Sequence, residues 1–348
     1  MKKNLWVLGM AVAALTSCTQ SEVLEIPESR AIGFNMHVDK NSRNALTDVN
    51  KTSIQEFHVF GYYREIPNLG QDTPTGDFVS LFNNTQVERT DAKAETWTYS
   101  GVKYWQTYTQ YRFAAYANGL NEAHLSVDDA DNVNKVAYDP TADAMIFTNY
   151  KAEGDNDLVA AITSDIITGA SITSPEVPFS FDHMLSKIGF SFYGNTQTTL
   201  KISDVTINGA CTTGNATYTY QTGADNKNLI AWTGLGGTTV YTSSSTENAL
   251  GSSVTRYVFY VIPQANTNAT VSFCLTTYDA NGDKIDKTKY TANLQTTATN
   301  HVGVWKEGYV YEYYPLFPSS PPHYLSFLPT WQLASLRTSD PEKGRRKW

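Results

Sequence analysis

The sequence predicts an all-β protein built from β-sandwiches. Apolar residues alternate with polar ones in short segments that recur about every ten to fifteen residues. Thr, Asn, Ser and Tyr are abundant, a composition that favours strands and turns over helices. Helical periodicity over a full window is absent after the N-terminal apolar run. The length of 348 residues favours two domains.

The first predicted strand spans residues 31–39, because four apolar side chains alternate with polar partners along it. Later segments show the same pattern and are interpreted as strands of the same kind. The alternating positions of the first strand are Ile32, Phe34, Met36 and Val38, and later examples are Phe57 with Val59, Trp97 with Tyr99, Tyr111 with Phe113, and Ile188 with Phe190.

Irregular features of the strands are also predicted. The apolar alternation changes phase at Ser203-Asp204, which indicates a β-bulge. Asn281-Gly282 lies between two alternating segments and predicts a hairpin turn. The segment 257–262 is apolar on both faces, as in a central strand. Short helical pieces are expected near residues 120–130 and 141–150.

The N-terminus predicts a lipoprotein. Lys2 and Lys3 precede the apolar run Leu5–Leu15, which is too short to span a bilayer and has the flanks of a secretory signal. Small residues then lead to Cys18, as in a bacterial lipobox. Cys18 is therefore the predicted lipid attachment site, and its acyl chains would anchor the mature protein to a membrane.

The composition of the chain divides it into five parts. Residues 1–17 are the signal peptide and residues 18–30 a polar tether. A small, polar stretch near 168–180 that ends in prolines separates an N-terminal domain, 31–174, from a C-terminal domain, 175–314. Residues 315–348 form an atypical tail.

The tail is rich in proline and basic residues. It contains six of the thirteen prolines, with five basic and two acidic residues. Proline cannot donate to a sheet ladder, so the tail is predicted to be a poor strand and disordered.

No catalytic, metal or cofactor motif is recognised, so an enzyme is not predicted. Asp279, Asn281 and Asp283 match only the start of a calcium loop, and the hairpin interpretation is preferred. His183 is interpreted as structural. Cys211 and Cys274 are predicted to be free, because their strand positions place them on opposite faces. The net charge of −8 argues against nucleic acid as a partner.

Several segments taken in order resemble the fimbrillin (Mfa-like) family of gut and oral Gram-negative bacteria. The resemblance spans residues 15–313. Its segments are the lipobox at Cys18, Ile32-Gly33-Phe34, Arg43-Asn44-Ala45, Phe57-His58-Val59-Phe60-Gly61-Tyr62, Tyr104-Trp105, Tyr111-Arg112-Phe113-Ala114-Ala115-Tyr116, Asp157-Leu158-Val159-Ala160, Phe181-Asp182-His183-Met184-Leu185-Ser186-Lys187-Ile188 and Trp305-Lys306-Glu307-Gly308-Tyr309.

The resemblance implies two tandem transthyretin-like or Ig-like β-sandwich domains. It also implies a pilus subunit that is exported as a lipoprotein to the outer membrane, supports adhesion and binds other subunits by strand exchange. In that family a trypsin-like protease cuts after an Arg behind the first strand. Arg43 is the candidate processing site here, and Arg30 is the alternative.

The chain departs from the family at its C-terminus, where the family has a final alternating strand. Here the alternation stops at Tyr313. We interpret the tail as the product of an altered reading frame or a foreign end. The second domain would then lack an edge strand.

A second hypothesis is a monomeric surface lipoprotein that binds glycans. Exposed aromatic rings stack on sugars, and Trp97, Trp105 and Trp232 are the candidates. Aromatic residues on strands more often belong to a core, which favours the pilus subunit.

Overall fold

The computed structural model describes most of the chain between residues 30 and 337, and the statements below apply to that part. The described residues are 30–38, 54–67, 73–89, 96–118, 125, 127, 133–171, 176–193, 199–221, 228–237, 241–243, 245–251, 253–295, 302–315 and 331–337. For 37, 38, 315 and 331–337 the backbone alone is described.

The described chain consists of strands and connecting segments, which confirms the all-β prediction. In chain order the strands are β1 (Phe34–Val38), β2 (Glu56–Glu65), β3 (Val79–Glu88), β4 (Thr109–Asn118), β5 (Lys135–Asp139), β6 (Ala144–Lys151), β7 (Leu158–Ile162), β8 (Ile166–Ile167), β9 (Val177–His183), β10 (Ser186–Phe192), β11 (Thr199–Asn208), β12 (Thr213–Thr219), β13 (Leu229–Gly236), β14 (Tyr241–Thr242), β15 (Asn248–Leu250), β16 (Thr255–Val261), β17 (Gln264–Ala265), β18 (Thr270–Tyr278), β19 (Lys284–Asn293), β20 (Val304–Trp305), β21 (Val310–Pro315) and β22 (Trp331–Arg337). No helix in this part of the chain is long and apolar enough to cross a lipid bilayer.

The largest sheet has seven strands. Its order is β1-β9-β7-β4-β2-β3, and β8 pairs with β4 beside β7. The central strand β4 is buried along almost its whole length, because apolar residues occupy both of its faces. β1 and β3 form the two edges of this sheet.

A four-stranded sheet, β13-β12-β6-β5, joins segments that are distant in sequence. β12 pairs antiparallel with β6, so hydrogen bonds link residues on either side of the predicted division at 174 and 175. β9 follows the same division and pairs with β7 and β1 of the large sheet. The domain boundary stays a prediction.

The remaining strands form the rest of the second half. One sheet has the order β16-β10-β21-β22 and another the order β14-β11-β18-β19, with β15 also on β11, while β17 pairs with β20. β10 is buried on both faces, and it runs parallel to β21 and antiparallel to β16.

Two apolar clusters form the core. The larger one lies among both halves and includes Phe147, Phe190, Phe273 and Trp305. The smaller one lies on one face of the seven-stranded sheet and is rich in Phe. Burial of these large side chains is the main stabilising contribution to such folds.

Two local predictions are confirmed. The β11–β18 ladder shifts register between Ser203 and Thr206, and Asp204 has φ of 56°, so the bulge lies at the predicted phase change. The hairpin at Asn281-Gly282 joins β18 to β19. Gly282 has φ of 87°, which a residue with a side chain rarely adopts.

Two local predictions are wrong. Residues 144–151 form β6 rather than a helical piece, because Met145, Phe147 and Tyr150 meet the core while Ile146 faces outward. The predicted helical piece at 120–130 lies almost entirely outside the described residues. The segment 257–262 contributes to β16, which lies at a sheet edge rather than at the centre. Its residues from Phe259 onward are buried although β16 pairs with β10 alone in this sheet.

The prediction that the tail is a poor strand is also wrong for part of it. Residues 331–337 form β22, which pairs antiparallel with β21 and provides the edge strand expected to be missing. The segment lies between Pro329 and Pro341 and contains no proline itself, so every residue retains its N–H donor. The prediction failed because it used the proline content of the whole tail and not of residues 331–337.

Candidate functional site

The candidate site is the position of β1 in the seven-stranded sheet. β1 lies at the edge and runs parallel to β9, with Phe34 opposite Val177 and Val38 opposite Phe181. The amide of Val177 also donates to the carbonyl of Gly33 at 2.8 Å. The partner strand follows β1 by about 140 residues, so β1 is held by non-local contacts.

A segment that we call the clasp, residues 97–106, holds the start of β1 from the other side. The amide of Ile32 donates to Lys103 at 2.9 Å, and the amide of Trp105 donates to the carbonyl of Arg30 at 2.9 Å. The clasp also bridges to β3, where Thr98 pairs with Glu88. The clasp therefore connects the two edges of the seven-stranded sheet.

The inward side chains of β1 and of the residues directly before it are fully buried. Ile32, Phe34 and Met36 are exposed by 1%, 3% and 0%. They belong to the Phe-rich cluster, together with residues of β2, β3, β4 and β9. We call the space that these three side chains fill, between β9 and the clasp, the β1 groove.

Five aromatic rings surround the Phe34 ring. The Phe179 ring stacks on it at 5.9 Å, and the other four meet it edge-on. The centroid distances of these four are 6.2 Å for Phe57, 5.5 Å for Phe82, 5.4 Å for Tyr99 and 6.4 Å for Phe113. Such pairs add stabilisation of about 0.5–1.5 kcal/mol beyond area burial.

Tyr99 of the clasp contacts both the side chain and the backbone of β1. Its ring packs on Phe34, and its hydroxyl donates to the carbonyl of Ile32 at 2.8 Å. The amide of Lys103 donates to the same hydroxyl at 3.2 Å. Burial raises the pKa of Tyr99 above its usual value, so the hydroxyl stays protonated and available as a donor.

In this arrangement another extended strand could make the contacts that β1 makes. Without β1, the apolar wall of the groove would face water, and β9 would lose its hydrogen-bonding neighbour. Both changes are unfavourable, and an added extended strand reverses both. An edge strand is also easier to remove than a central one, because it has a full ladder on one side only.

The comparisons with known proteins identify the family of this chain. The sequence profile of the family described as fimbrillin-like matches residues 46–315, which is most of the chain. The chain belongs to the fimbrillin-like family. The resemblance noted from its motifs is therefore confirmed, and the protein is a fimbrial protein of the cell surface that associates with other subunits. The profile match begins after β1. No curated protein matches the sequence.

The chain also has partial similarity to several solved structures. One is a protein of Bacteroides ovatus provisionally assigned to cell adhesion, with 13% identity, a TM-score of 0.48, and 82% of this chain and 92% of the other covered. Another is the fimbrial anchor protein Mfa2 of Porphyromonas gingivalis, with 10% identity, a TM-score of 0.31, and coverage of 84% and 92%.

The predicted processing and lipid sites of this fimbrillin-like chain flank β1 in the sequence. Arg30 is exposed and directly precedes the groove. Its carbonyl accepts the Trp105 hydrogen bond, so the bond after it lies inside the clasped segment. Arg43 and Cys18 lie outside the described residues.

The proposed sugar-stacking role of two tryptophans is wrong. Trp97 and Trp105 are buried, with exposures of 7% and 3%, and Trp97 packs against Phe57 at 4.7 Å. Trp232 is half-buried against the core, and its indole N–H donates to the carbonyl of Met184 at 2.9 Å. Trp97 and Trp105 lie in the clasp and pack into the Phe-rich cluster, while Trp232 lies on β13.

The other residues singled out in the sequence have structural roles. His183 pairs through Nδ1 with a carboxylate oxygen of the buried Asp157 at 2.5 Å. Cys211 and Cys274 are free, as predicted. The carboxylate of Asp279 accepts two backbone hydrogen bonds within its own turn. No group of three or more metal-ligating side chains occurs within the described ranges.

The sequence did not reveal the residues that surround Phe34. Phe57, Phe113 and Phe179 were recognisable as inward positions of alternating strands, but their meeting at one point was not. Tyr99 was placed in a predicted strand, whereas it lies in the clasp beside the single bridge at Thr98. A buried hydroxyl that bonds a backbone carbonyl leaves no pattern in sequence.

Proposed function

We propose that this fimbrillin-like protein is a structural subunit of cell-surface fimbriae that supports adhesion and assembles by strand exchange. It is exported as a lipoprotein and anchored in the outer membrane through acyl chains on Cys18. A protease cuts the chain behind β1, β1 leaves its groove, and an extended strand of another subunit takes its place.

The observation that carries this proposal is the combination of edge position and deep burial in β1. Residues 32–36 place three large side chains in the core, yet β1 has a full ladder with one neighbour only. Its chain connections on both sides run through segments outside the described residues, 1–29 and 39–53. One cut in the second of these segments separates β1 covalently from the rest of the fold.

The position of the cut distinguishes the two candidate arginines. A cut after Arg30 removes the tether and the lipid but leaves β1 attached to the chain. A cut after Arg43 leaves β1 on the tether and frees it from the domain. The mechanism therefore favours Arg43 as the processing site, and Arg30 is the alternative.

Mild treatment of the purified mature protein with an arginine-specific protease tests the proposal, followed by mass spectrometry and size-exclusion chromatography. The expected result is a cut after Arg43, loss of β1 from the main body, and higher oligomers. The variant Arg43→Ala is the matched control and should stay monomeric. Release of β1 with no change in size would contradict assembly by strand exchange.

A further inference from the structure

We infer that the β1 groove selects its incoming strand at the centre, through an aromatic side chain that replaces Phe34. The partner is thus an extended strand with an aromatic residue that is flanked, two positions away on either side, by aliphatic residues. This inference rests on the proposed strand exchange and names the chemistry of the strand that the groove accepts.

The backbone contacts of the groove are independent of side-chain identity. Lys103 accepts from the amide of Ile32, Tyr99 donates to the carbonyl of Ile32, and Val177 donates to the carbonyl of Gly33. Any extended chain offers the same groups, so these contacts supply affinity but little discrimination. Discrimination must come from the three buried side-chain positions.

The central position differs from the other two in its surroundings. The ring of Phe34 is surrounded by Phe57, Phe82, Phe113 and Phe179 and by Tyr99 of the clasp, on five separate elements of the fold. Ile32 and Met36 are equally buried but carry flexible or branched aliphatic chains. An aliphatic side chain at the centre would forfeit all five ring contacts and leave a cavity.

Rigid walls make this central position selective. Phe82 and Phe113 contact each other, and Phe82 contacts Tyr99 at 5.2 Å, so the rings support one another. Close-packed interiors collapse only partly around a missing ring. We therefore expect an alanine at the centre of the strand to weaken binding by at least about 100-fold, equivalent to about 2.8 kcal/mol.

A peptide exchange experiment on the full-length mature chain tests the inference. The chain is cut after Arg43, and a fluorescent peptide with the sequence of residues 31–38 is added as the probe. Parallel peptides carry Phe34→Ala, Phe34→Tyr, Ile32→Ala or Met36→Ala. We expect Phe34→Tyr to bind within about 10-fold of the native peptide and Phe34→Ala to bind at least about 100-fold more weakly.

The two flanking variants are the matched controls, because they remove equally buried side chains. If Ile32→Ala or Met36→Ala lowers the affinity of the peptide as much as Phe34→Ala does, or more, the inference is overturned. Strand exchange itself would remain intact. Failure of the native peptide to bind would overturn the proposed function and the inference together.

A second variant separates recognition from general destabilisation. Phe82→Ala removes one wall of the ring cluster on β3, at the opposite edge of the sheet from β1. In the Phe82→Ala protein, the ratio of the affinities for the native peptide and for its Phe34→Ala form should be smaller than in the wild type. A double-mutant cycle measures this difference. An unchanged preference would overturn the inference.

Discussion

Replacement of Phe34 by alanine in the uncut chain should make local opening of β1 more frequent, with the rest of the sheet still paired in that opened state. Burial of one Phe ring removes about 200 Å² of apolar surface from water, and Phe→Ala changes in cores cost about 3–5 kcal/mol. Phe34 is exposed by 3% and contacts five rings, so the full range applies. Phe179→Ala on β9 is the matched control, since that ring is equally buried and stacks on Phe34.

Native-state hydrogen exchange distinguishes the two variants. The amide of Val177 donates to Gly33 and reports on β1, whereas Val59 and Ala115 pair in the centre of the sheet. Phe34→Ala should accelerate exchange by about 10²- to 10³-fold at Val177 and at the central amides alike, because the contacts of Phe34 are lost both when β1 opens and when the whole sheet unfolds. Phe179→Ala should accelerate the central amides more than Val177, because the Phe179 ring keeps its contacts with other core rings when β1 alone opens. Acceleration at Val177 that equals the acceleration at the central amides in Phe179→Ala would refute independent opening of β1.

Three further predictions concern the clasp and the second half. Tyr99→Phe removes one hydrogen bond to β1 and should make its opening about 2- to 10-fold more frequent, measured at the same Val177 amide. Burial, with repulsion from a neighbouring Arg, depresses the pKa of Lys187 to about 8, below its unfolded value near 10.5. The charged form is therefore disfavoured in the fold. The unfolding free energy of the wild type, relative to that of Lys187→Met, should rise by about 2 kcal/mol from pH 8 to pH 10. A fall or a flat profile in urea titrations would contradict this prediction. Gly189→Ala places a Cβ against the carboxylate of Glu312 and should cost about 1–3 kcal/mol in urea unfolding, whereas the control Gly251→Ala meets no atom within 4 Å and should be near neutral. Equal effects would contradict the packing argument.

Local features of the fold were predictable from sequence because they depend on neighbouring residues. The alternation of Ile32, Phe34 and Met36 predicted β1 and its inward face, and the phase change at Ser203 predicted the bulge. The hairpin at Asn281-Gly282 followed from its turn chemistry. Each of these features is decided within about ten residues of the chain.

Pairing between distant strands was not predictable in the same way. β1 runs parallel to β9, and parallel strands need long connections that leave no turn signal. The pairing of β6 with β12 likewise depends on tertiary contacts. The ring cluster around Phe34 combines residues from five elements, so it exists only once those pairings are made.

The most direct test of strand exchange is to cut the mature chain behind β1 and to follow β1 itself. Arg43→Ala and Arg30→Ala variants are treated with an arginine-specific protease beside the wild type, because Lys40 and Lys51 in the same segment would also be cut by trypsin, and the products are analysed by native mass spectrometry and SDS-resistant oligomer ladders. The account predicts that the wild type and Arg30→Ala lose β1 and form oligomers, whereas Arg43→Ala retains β1 and stays monomeric. Oligomers from Arg43→Ala that retain β1, or a wild type that is cut after Arg43 and keeps β1 in its groove, would contradict the account.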